Sequence, residues 1–169
     1  MKIVLMGYMA SGKSASGRIL SEKLNSQFID LDSFIEEREL LSISQIFETK
    51  GEIYFRKKEG IHLQELLNSK ESFVLSLGGG TPCYGNNMDF IANKSSSFYL
   101  KASIDTIFER LKNETSQRPL VAAIGAENLK EYIAKHLFER AIYYEKAHHT
   151  ILVNGKNLTQ IVDEIMLLR

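Results

Sequence analysis

The stretch from Gly7 to Ser14 reads GYMASGKS and matches G-x-x-x-x-G-K-[ST], a pattern typical of loops that bind nucleoside triphosphates. Its two glycines allow a tight turn whose N–H groups point inward, at the positive end of the following helix. The Lys13 ammonium can reach the β- and γ-phosphates, and the Ser14 hydroxyl can ligate Mg²⁺. We therefore expect ATP and Mg²⁺ as cofactors, bound by Gly7, Met9, Ala10, Ser11, Gly12, Lys13, Ser14 and Ala15.

The residues on either side of this loop support that interpretation. Residues 2–6 form a short apolar run typical of a buried strand, and a helix-compatible stretch covers 13–24. The alternative is a glycine-rich turn between strand and helix that binds no ligand. Strand, loop, helix and spacing together favour the phosphate-binding interpretation.

Asp30 and Asp32 follow the second apolar run of the chain. Two carboxylates at this spacing can face one crevice where the chain leaves a strand. Asp30 is then a candidate Mg²⁺ residue, and Asp32 a candidate for orienting or deprotonating an acceptor hydroxyl. The alternative is that Asp32 only caps the next helix.

Three further segments carry candidate site residues. Arg56 stands three positions before Glu59, a spacing at which the carboxylate can hold the guanidinium. The triple glycine at 78–80 ends an apolar strand and favours the close approach of a ligand over a plain turn. Arg118 precedes a proline in a long connection, where a lid arginine could supply charge late in phosphoryl transfer; the alternative is a surface arginine.

The composition limits the class of protein. With 169 residues, 44% hydrophobic and 25% charged, the chain is typical of a soluble domain with a substantial core. Its 21 basic and 21 acidic residues balance, so we expect no nucleic-acid or membrane partner. No apolar run approaches a membrane span or a signal-peptide core. The single cysteine, Cys83, fits a reducing cytoplasm. We expect a cytoplasmic monomer.

Strand and helix signals alternate along the chain, which predicts a parallel α/β sheet with the first strand in its middle. The predicted strands are 2–6, 27–30, 72–77, 97–100 and 150–153. Ser42 with Gln45, Ser103 and Asn157 are predicted helix caps. We expect one domain over 1–169. Two long connections, about 32–62 and about 113–125, predict a substrate-binding region and a lid.

Six segments stand in order along the chain: GYMASGKS, DLD at 30–32, FRKKE at 55–59, GGG at 78–80, RPL at 118–120 and ERAIYYEKA at 139–147. Together they resemble the shikimate kinases, in the nucleoside-monophosphate-kinase-like branch of P-loop proteins. The resemblance implies ATP-dependent phosphorylation of the 3-hydroxyl of shikimate, on the route to chorismate and the aromatic amino acids. It also implies a three-layer α/β/α P-loop kinase fold with a mobile lid and a five-stranded parallel sheet in the order 2-3-1-4-5.

Carried over by position, the resemblance implies particular site residues. Lys13, Asp32 and Arg118 would be catalytic, and Arg110, Arg118 and Asn154 would contact the nucleotide. The implied shikimate contacts are Asp32, Arg56, Gly78, Gly79, Gly80 and Arg140. Arg140 rests on the resemblance alone, because the sequence pattern shows only a basic residue on a long helix.

Two alternatives from the same motif remain open. Another small-molecule kinase of this branch, such as a gluconate or nucleotide kinase, also carries a phosphate-binding loop and a lid. Asp32, Arg56 and Arg140 favour a hydroxylated carboxylate over a nucleotide as acceptor. The other alternative is an ATP-binding regulatory module without catalysis, which the presence of Lys13 and Ser14 disfavours.

Overall fold

The computed structural model describes residues 1–112 and 123–169 of the chain. Its sheet contains β1 (Lys2–Met6), β2 (Gln27–Asp30), β3 (Phe73–Ser76), β4 (Ser96–Lys101) and β5 (His149–Leu152). The helices of the described ranges are α1 (Lys13–Lys23), α2 (Leu31–Glu39), α3 (Ile43–Asn68), α4 (Asn87–Lys94), α5 (Ile104–Leu111), α6 (Ala126–Tyr144) and α7 (Leu158–Leu168), and Thr81–Cys83 form a short 3₁₀ helix.

The sheet order is β2-β3-β1-β4-β5 with every pairing parallel, which confirms the predicted order. β1 lies between β3 and β4, and its last four residues are buried. Helix α1 packs against β1, β2 and β3 and against α7, while α4 contacts β4 and α3. Because helices cover both faces, the central strands are apolar runs without alternation. The carboxyl ends of β1, β2 and β3 therefore meet at one edge, where the candidate site residues follow.

Several local predictions are confirmed. Ser42 and Asn157 form capping boxes with Gln45 and Gln160, and the Ser103 hydroxyl accepts from the Thr106 amide at the start of α5. These caps depend on residues three apart in sequence, so the pattern alone is sufficient to predict them. The ends of β3, β4 and β5 each differ from the predicted ends by one residue.

Two features of the connections were not predicted. Helix α3 runs from Ile43 to Asn68 but bends at Gly51, whose φ of 82° and ψ of 171° interrupt the helical backbone. Helix α4 supplies part of the crossover between β3 and β4, which parallel strands require. No helix within the described residues is long and apolar enough to span a membrane.

Candidate active site

The loop from Gly7 to Gly12 turns directly from β1 into α1. A Cβ atom on Gly7 would lie 2.7 Å from the backbone oxygen of Leu100, so only glycine fits without moving the backbone. Gly12 precedes α1 with a φ of 96°, and Ala10 also has a positive φ, of 59°. The buried Lys13 ammonium donates to the carbonyls of Gly7 and Tyr8, at 3.0 and 2.9 Å. The loop thus holds the lysine in the concavity where phosphates would lie.

Oxygen atoms from three elements meet beside this loop. Ser14 Oγ donates to Asp30 Oδ2 at 2.9 Å and lies 3.1 Å from Ser76 Oγ. Hard oxygen ligands of this kind suit Mg²⁺, which usually keeps several waters and few protein ligands. The described residues contain no cluster of three or more His, Cys, Asp or Glu side chains arranged to hold a metal. The residues that fit an ATP-bound Mg²⁺ are therefore Ser14 and Asp30, with Ser76 as a neighbour that the sequence did not indicate.

Asp30, and not Asp32, is the N-cap of α2. Its Oδ1 accepts from the backbone amides of Asp32 and Ser33, while Oδ2 faces Ser14. The alternative in which Asp32 merely caps this helix is therefore wrong. Asp32 is the second residue of α2, and its carboxylate takes no part in the N-cap.

The Asp32 side chain is largely enclosed and close to the other carboxylates. Burial is the main cause that raises its pKa to about 6, and the negative charges of Asp30 and Glu59 add to the rise, while Lys13 opposes it. A carboxyl with a pKa near working pH can accept a proton and release it again. Asp32 has the electrostatic setting of a general base or of a group that positions a hydroxyl.

A pocket of about 700 Å³ joins the phosphate-binding loop to Asp32 and to the triple glycine. This volume is in the range of nucleotide and small-ligand pockets. Of the predicted site residues, it is lined by Met9, Ala10, Ser11, Gly12, Lys13, Ser14, Ala15, Asp30, Asp32, Gly78, Gly79 and Arg110. The pocket is also lined by residues that the sequence analysis did not name as site residues: Leu77, Lys156, Asn157, Leu158 and Ile161.

The nucleotide-side candidates occupy different settings. Arg110 lines the pocket and donates from Nη1 to the Ala10 carbonyl at 2.7 Å, which ties α5 to the loop. The Asn154 amide oxygen instead accepts from the Ser103 amide at 2.8 Å, next to the start of α5, and does not line the pocket. Its contact with adenine stays a prediction. Arg118 lies outside the described residues.

The triple glycine after β3 brings three charged side chains together. A Cβ atom on Gly78 would lie 3.1 Å from Asp32 Oδ1, one on Gly79 would lie 3.2 Å from Arg140 Nη1, and one on Gly80 would lie 2.8 Å from Arg56 Nη2. Each glycine therefore leaves the space that one charged group occupies. Arg56 and Arg140 come from different helices and flank a single loop, an arrangement suited to one small carboxylate.

The Arg56 guanidinium is held from several sides. Its Nη1 donates to the buried Glu59 at 2.9 Å, and Glu59 also accepts from Thr81 Oγ1 at 2.7 Å. The guanidinium carbon lies 4.1 Å from the ring centroid of Tyr84. The buried Nε lies 3.6 Å from Glu52 Oε1, just beyond hydrogen-bond distance. The predicted Arg56–Glu59 pair is confirmed, whereas Thr81 and Tyr84 carried no signal in the sequence.

Arg140 lies between the phosphate-binding loop and the triple glycine. Its guanidinium carbon is 5.7 Å from the ring centroid of Tyr8, a buried residue of the loop. One turn further along α6, the Tyr144 hydroxyl donates to the Gly79 carbonyl at 2.5 Å. The sequence analysis did not select Tyr144, because a tyrosine on a long helix usually belongs to the core.

Comparison with known proteins agrees with this geometry. The family model described as shikimate kinase matches residues 9–168. The chain belongs to the shikimate kinase family. Its relative in Flavobacterium psychrophilum, named shikimate kinase, is 48% identical over 165 residues, 97% of this chain and 96% of that protein.

Solved structures of the shikimate kinase family have the same fold. The shikimate kinase from Bacteroides thetaiotaomicron superposes with a TM-score of 0.92 at 32% identity, covering 99% of this chain and 97% of that one. The enzyme from Acinetobacter baumannii, solved in complex with shikimate, gives a TM-score of 0.87 at 33% identity, covering 99% and 91%. Sheet order and overall architecture are therefore those of shikimate kinases.

Proposed function

We propose that this chain transfers the γ-phosphoryl group of ATP to the 3-hydroxyl of shikimate, giving shikimate 3-phosphate and ADP. The observation that carries the proposal is the convergence of Asp32, Arg56 and Arg140 on the triple glycine beside the phosphate-binding loop. Shikimate offers a carboxylate and hydroxyl groups on one small ring, which match two arginines and a carboxylate. A relative with the same fold has been solved with shikimate bound.

In the reaction, the 3-oxygen of shikimate forms a bond to the γ-phosphorus while the bond to the β,γ-bridging oxygen breaks. Lys13, buried beside the Gly7 and Tyr8 carbonyls, would follow the charge on the transferred group. Asp32 would position the attacking hydroxyl and take its proton. Because the transition state is loose, proton removal can be late, so positioning would account for much of its effect.

Arg56 and Arg140 would bind the carboxylate and fix which hydroxyl faces Asp32. Ser14 and Asp30 would hold Mg²⁺, directly or through water, and Mg²⁺ would neutralise the phosphates. Arg110 would contact the nucleotide from the pocket wall, and Arg118 would supply further positive charge from the lid. The nucleotide and the acceptor would then meet at Gly79, whose Cβ position is 3.7 Å from the Met9 amide nitrogen.

The organisation of the chain is part of the proposal. One P-loop kinase domain would span 1–169, with about 32–62 as the substrate-binding region and about 113–125 as the lid. We further propose a cytoplasmic monomer without a nucleic-acid or membrane partner. The formal net charge of zero and the single cysteine support these assignments.

The test is ADP release by the purified protein with ATP, Mg²⁺ and a panel of acceptors: shikimate, quinate, gluconate and AMP. We expect turnover with shikimate and none of comparable efficiency with gluconate or AMP. Lys13→Ala should nearly abolish turnover, since such an interaction in a dry site contributes roughly several kcal/mol. The control Lys23→Ala, on the same helix but paired with Asp163 at the surface, should be fully active. Preferred use of gluconate or AMP, or no ADP release with any acceptor, would contradict the proposal.

A further inference from the structure

Tyr144 is a buried polar residue outside the set so far assigned to substrate or nucleotide. Its side chain is fully buried, and its ring lies 5.1 Å from the ring of Tyr99 on β4, measured between centroids. Its hydroxyl nevertheless reaches out of this core to the Gly79 carbonyl at 2.5 Å. The hydroxyl of this core tyrosine therefore finds its hydrogen-bond acceptor on the loop that flanks the acceptor site.

The hydrogen bond acts on a loop that has little stiffness of its own. Three consecutive glycines have no side chains to restrict their backbone, so their peptide planes need an external restraint. The peptide bonds of the described residues are all trans, and in a trans peptide the C=O and N–H groups point in opposite directions. Fixing the Gly79 carbonyl toward Tyr144 therefore points the Gly80 N–H away from it.

The Gly80 N–H is a buried donor in need of an acceptor. Gly80 itself is buried, and no atom in the described ranges accepts a hydrogen bond from its amide. The great majority of buried backbone N–H groups in proteins are paired, so an exception indicates a ligand or water. The nearest charged group to its Cβ position is the Arg56 guanidinium, and Arg140 stands beside the preceding glycine.

Tyr144 and Arg140 are also placed together by α6. They are four residues apart, and side chains at this spacing lie on the same face of a helix. Burial raises the pKa of Tyr144, and the charge of Arg140 and its hydrogen bond to the same hydroxyl oppose this rise only in part, so the hydroxyl stays protonated and remains a donor at neutral pH. One helix thus presents an arginine and a backbone-orienting hydroxyl to the same loop.

We propose that Tyr144 is a positioning residue of the acceptor site, whose hydroxyl orients the Gly79–Gly80 peptide so that the Gly80 N–H faces an acceptor oxygen between Arg56 and Arg140. This inference rests on the proposed function, because the acceptor oxygen is that of the substrate bound there. Tyr144 does not touch the reacting atoms, and its effect passes through the glycine backbone and through Arg140, which interacts with the same hydroxyl.

The test compares Tyr144→Phe with Tyr99→Phe, which removes a hydroxyl from an equally buried neighbour that has no bond to the loop. For Tyr144→Phe we expect the KM for shikimate to rise roughly 3- to 10-fold, the effect of one hydrogen bond. The KM for ATP should change less than about twofold, and kcat should fall less than the KM rises. Tyr99→Phe should keep the shikimate KM of the wild type, while thermal melts monitor both folds.

A second variant with 4-aminophenylalanine at position 144 keeps a donor in the same place and should restore the shikimate KM. An unchanged shikimate KM in Tyr144→Phe, or equal rises for shikimate and ATP, would overturn the inference. So would a Tyr144→Phe protein that fails to fold, because the hydroxyl would then support the whole structure. A wild-type protein inactive on shikimate would instead contradict the proposed function, which separates the two failures.

Discussion

Ser14 Oγ donates a hydrogen bond to Asp30 Oδ2 at 2.9 Å, which joins the first turn of α1 to the end of β2. The same Asp30 carboxylate caps α2 through its other oxygen. One side chain therefore positions the candidate Mg²⁺ residue Ser14 and starts the helix that carries Asp32. The nucleotide half and the acceptor half of the site share this residue.

Asp30→Asn separates these two tasks, because asparagine is also a good N-cap but lacks the negative charge. We expect a stable protein whose requirement for Mg²⁺ rises about 10-fold, in the range seen when groups around a metal are altered. Mg²⁺ titrations of initial rate, with melting curves for both proteins, provide the measurement. Recovery of most of the rate at high Mg²⁺ is the expected sign; an unchanged Mg²⁺ requirement would remove Asp30 from the metal site.

Asp32→Asn should lower kcat by roughly 10²- to 10⁴-fold, the range for a positioned general base. Because the pKa of Asp32 is raised to about 6 in the free protein, wild-type kcat/KM for shikimate should decline as pH falls below about 6, where the carboxyl is protonated. That limb of the pH profile should be absent from Asp32→Asn. A variant with wild-type kcat would show that the carboxylate is not needed in the reaction.

The same raised pKa of Asp32 has a consequence for stability. A carboxyl whose pKa rises on folding, here from 3.8 to about 6, stabilises the fold only while protonated, so its contribution is lost as pH rises through this interval. Asp32→Asn should therefore melt above the wild type at pH 7, and this difference should shrink below pH 4. A lower melting temperature at pH 7 would contradict this account.

Arg56→Ala and Arg140→Ala should each raise the KM for shikimate about 10-fold or more and change the KM for ATP little, since each removes a guanidinium from the acceptor. Lysine should restore little at either position, because an ammonium cannot form the same planar contacts. Arg38→Ala is the control: this exposed arginine pairs with Glu65 on the outside of α3. Equal damage to ATP binding would place the two arginines on the nucleotide side.

Gly80→Ala tests the space that the triple glycine leaves for Arg56. Its φ of −88° is accessible to alanine, but the new Cβ would lie 2.8 Å from Arg56 Nη2. The guanidinium must move, so we expect a higher KM for shikimate with little loss of stability. Gly17→Ala is the contrasting control, because its Cβ would lie 2.5 Å from the Phe28 ring and should lower the melting temperature without changing the KM. The reverse pattern would contradict the assignment of Gly80.

The Glu39 side chain links the end of α2 to α3. We expect its contribution to the stability of the fold to be lost at acidic pH. It accepts from the Tyr54 hydroxyl at 2.6 Å and pairs with Lys58 at 3.0 Å. Chiefly the Tyr54 hydrogen bond, with help from Lys58 and His62, lowers the pKa of Glu39 to about 2. This contribution is present above pH 4.5, the ordinary pKa, and is lost as pH falls toward 2.

Glu39→Gln should therefore unfold at a lower denaturant concentration than the wild type at pH 7, and the two curves should approach each other at pH 3 and below. Glu37→Gln, an exposed change on the same helix, should follow the wild type at every pH. Parallel curves for Glu39→Gln and the wild type would mean that the ion-pair network does not stabilise the α2–α3 pair.

Sequence patterns were sufficient to predict the parts of this protein that depend on neighbours along the chain. The phosphate-binding loop follows from an apolar run, two glycines and a helix in immediate succession, and Ser42, Ser103 and Asn157 cap helices through residues three positions away. The sheet order came from the resemblance and is confirmed. The Arg56–Glu59 pair also follows from helical spacing.

The contacts between segments that are distant in sequence required the folded structure. Sequence spacing could not assign the α2 cap, because Asp30 and Asp32 both suit it; the Ser14 contact and the end of β2 place Asp30 there. The meeting of Arg140 and Tyr144 with Gly79 depends on how α6 packs against the loop after β3, a contact that no periodicity encodes. Local pattern determines where an element begins and which face it buries, whereas packing between elements determines which side chains share a site.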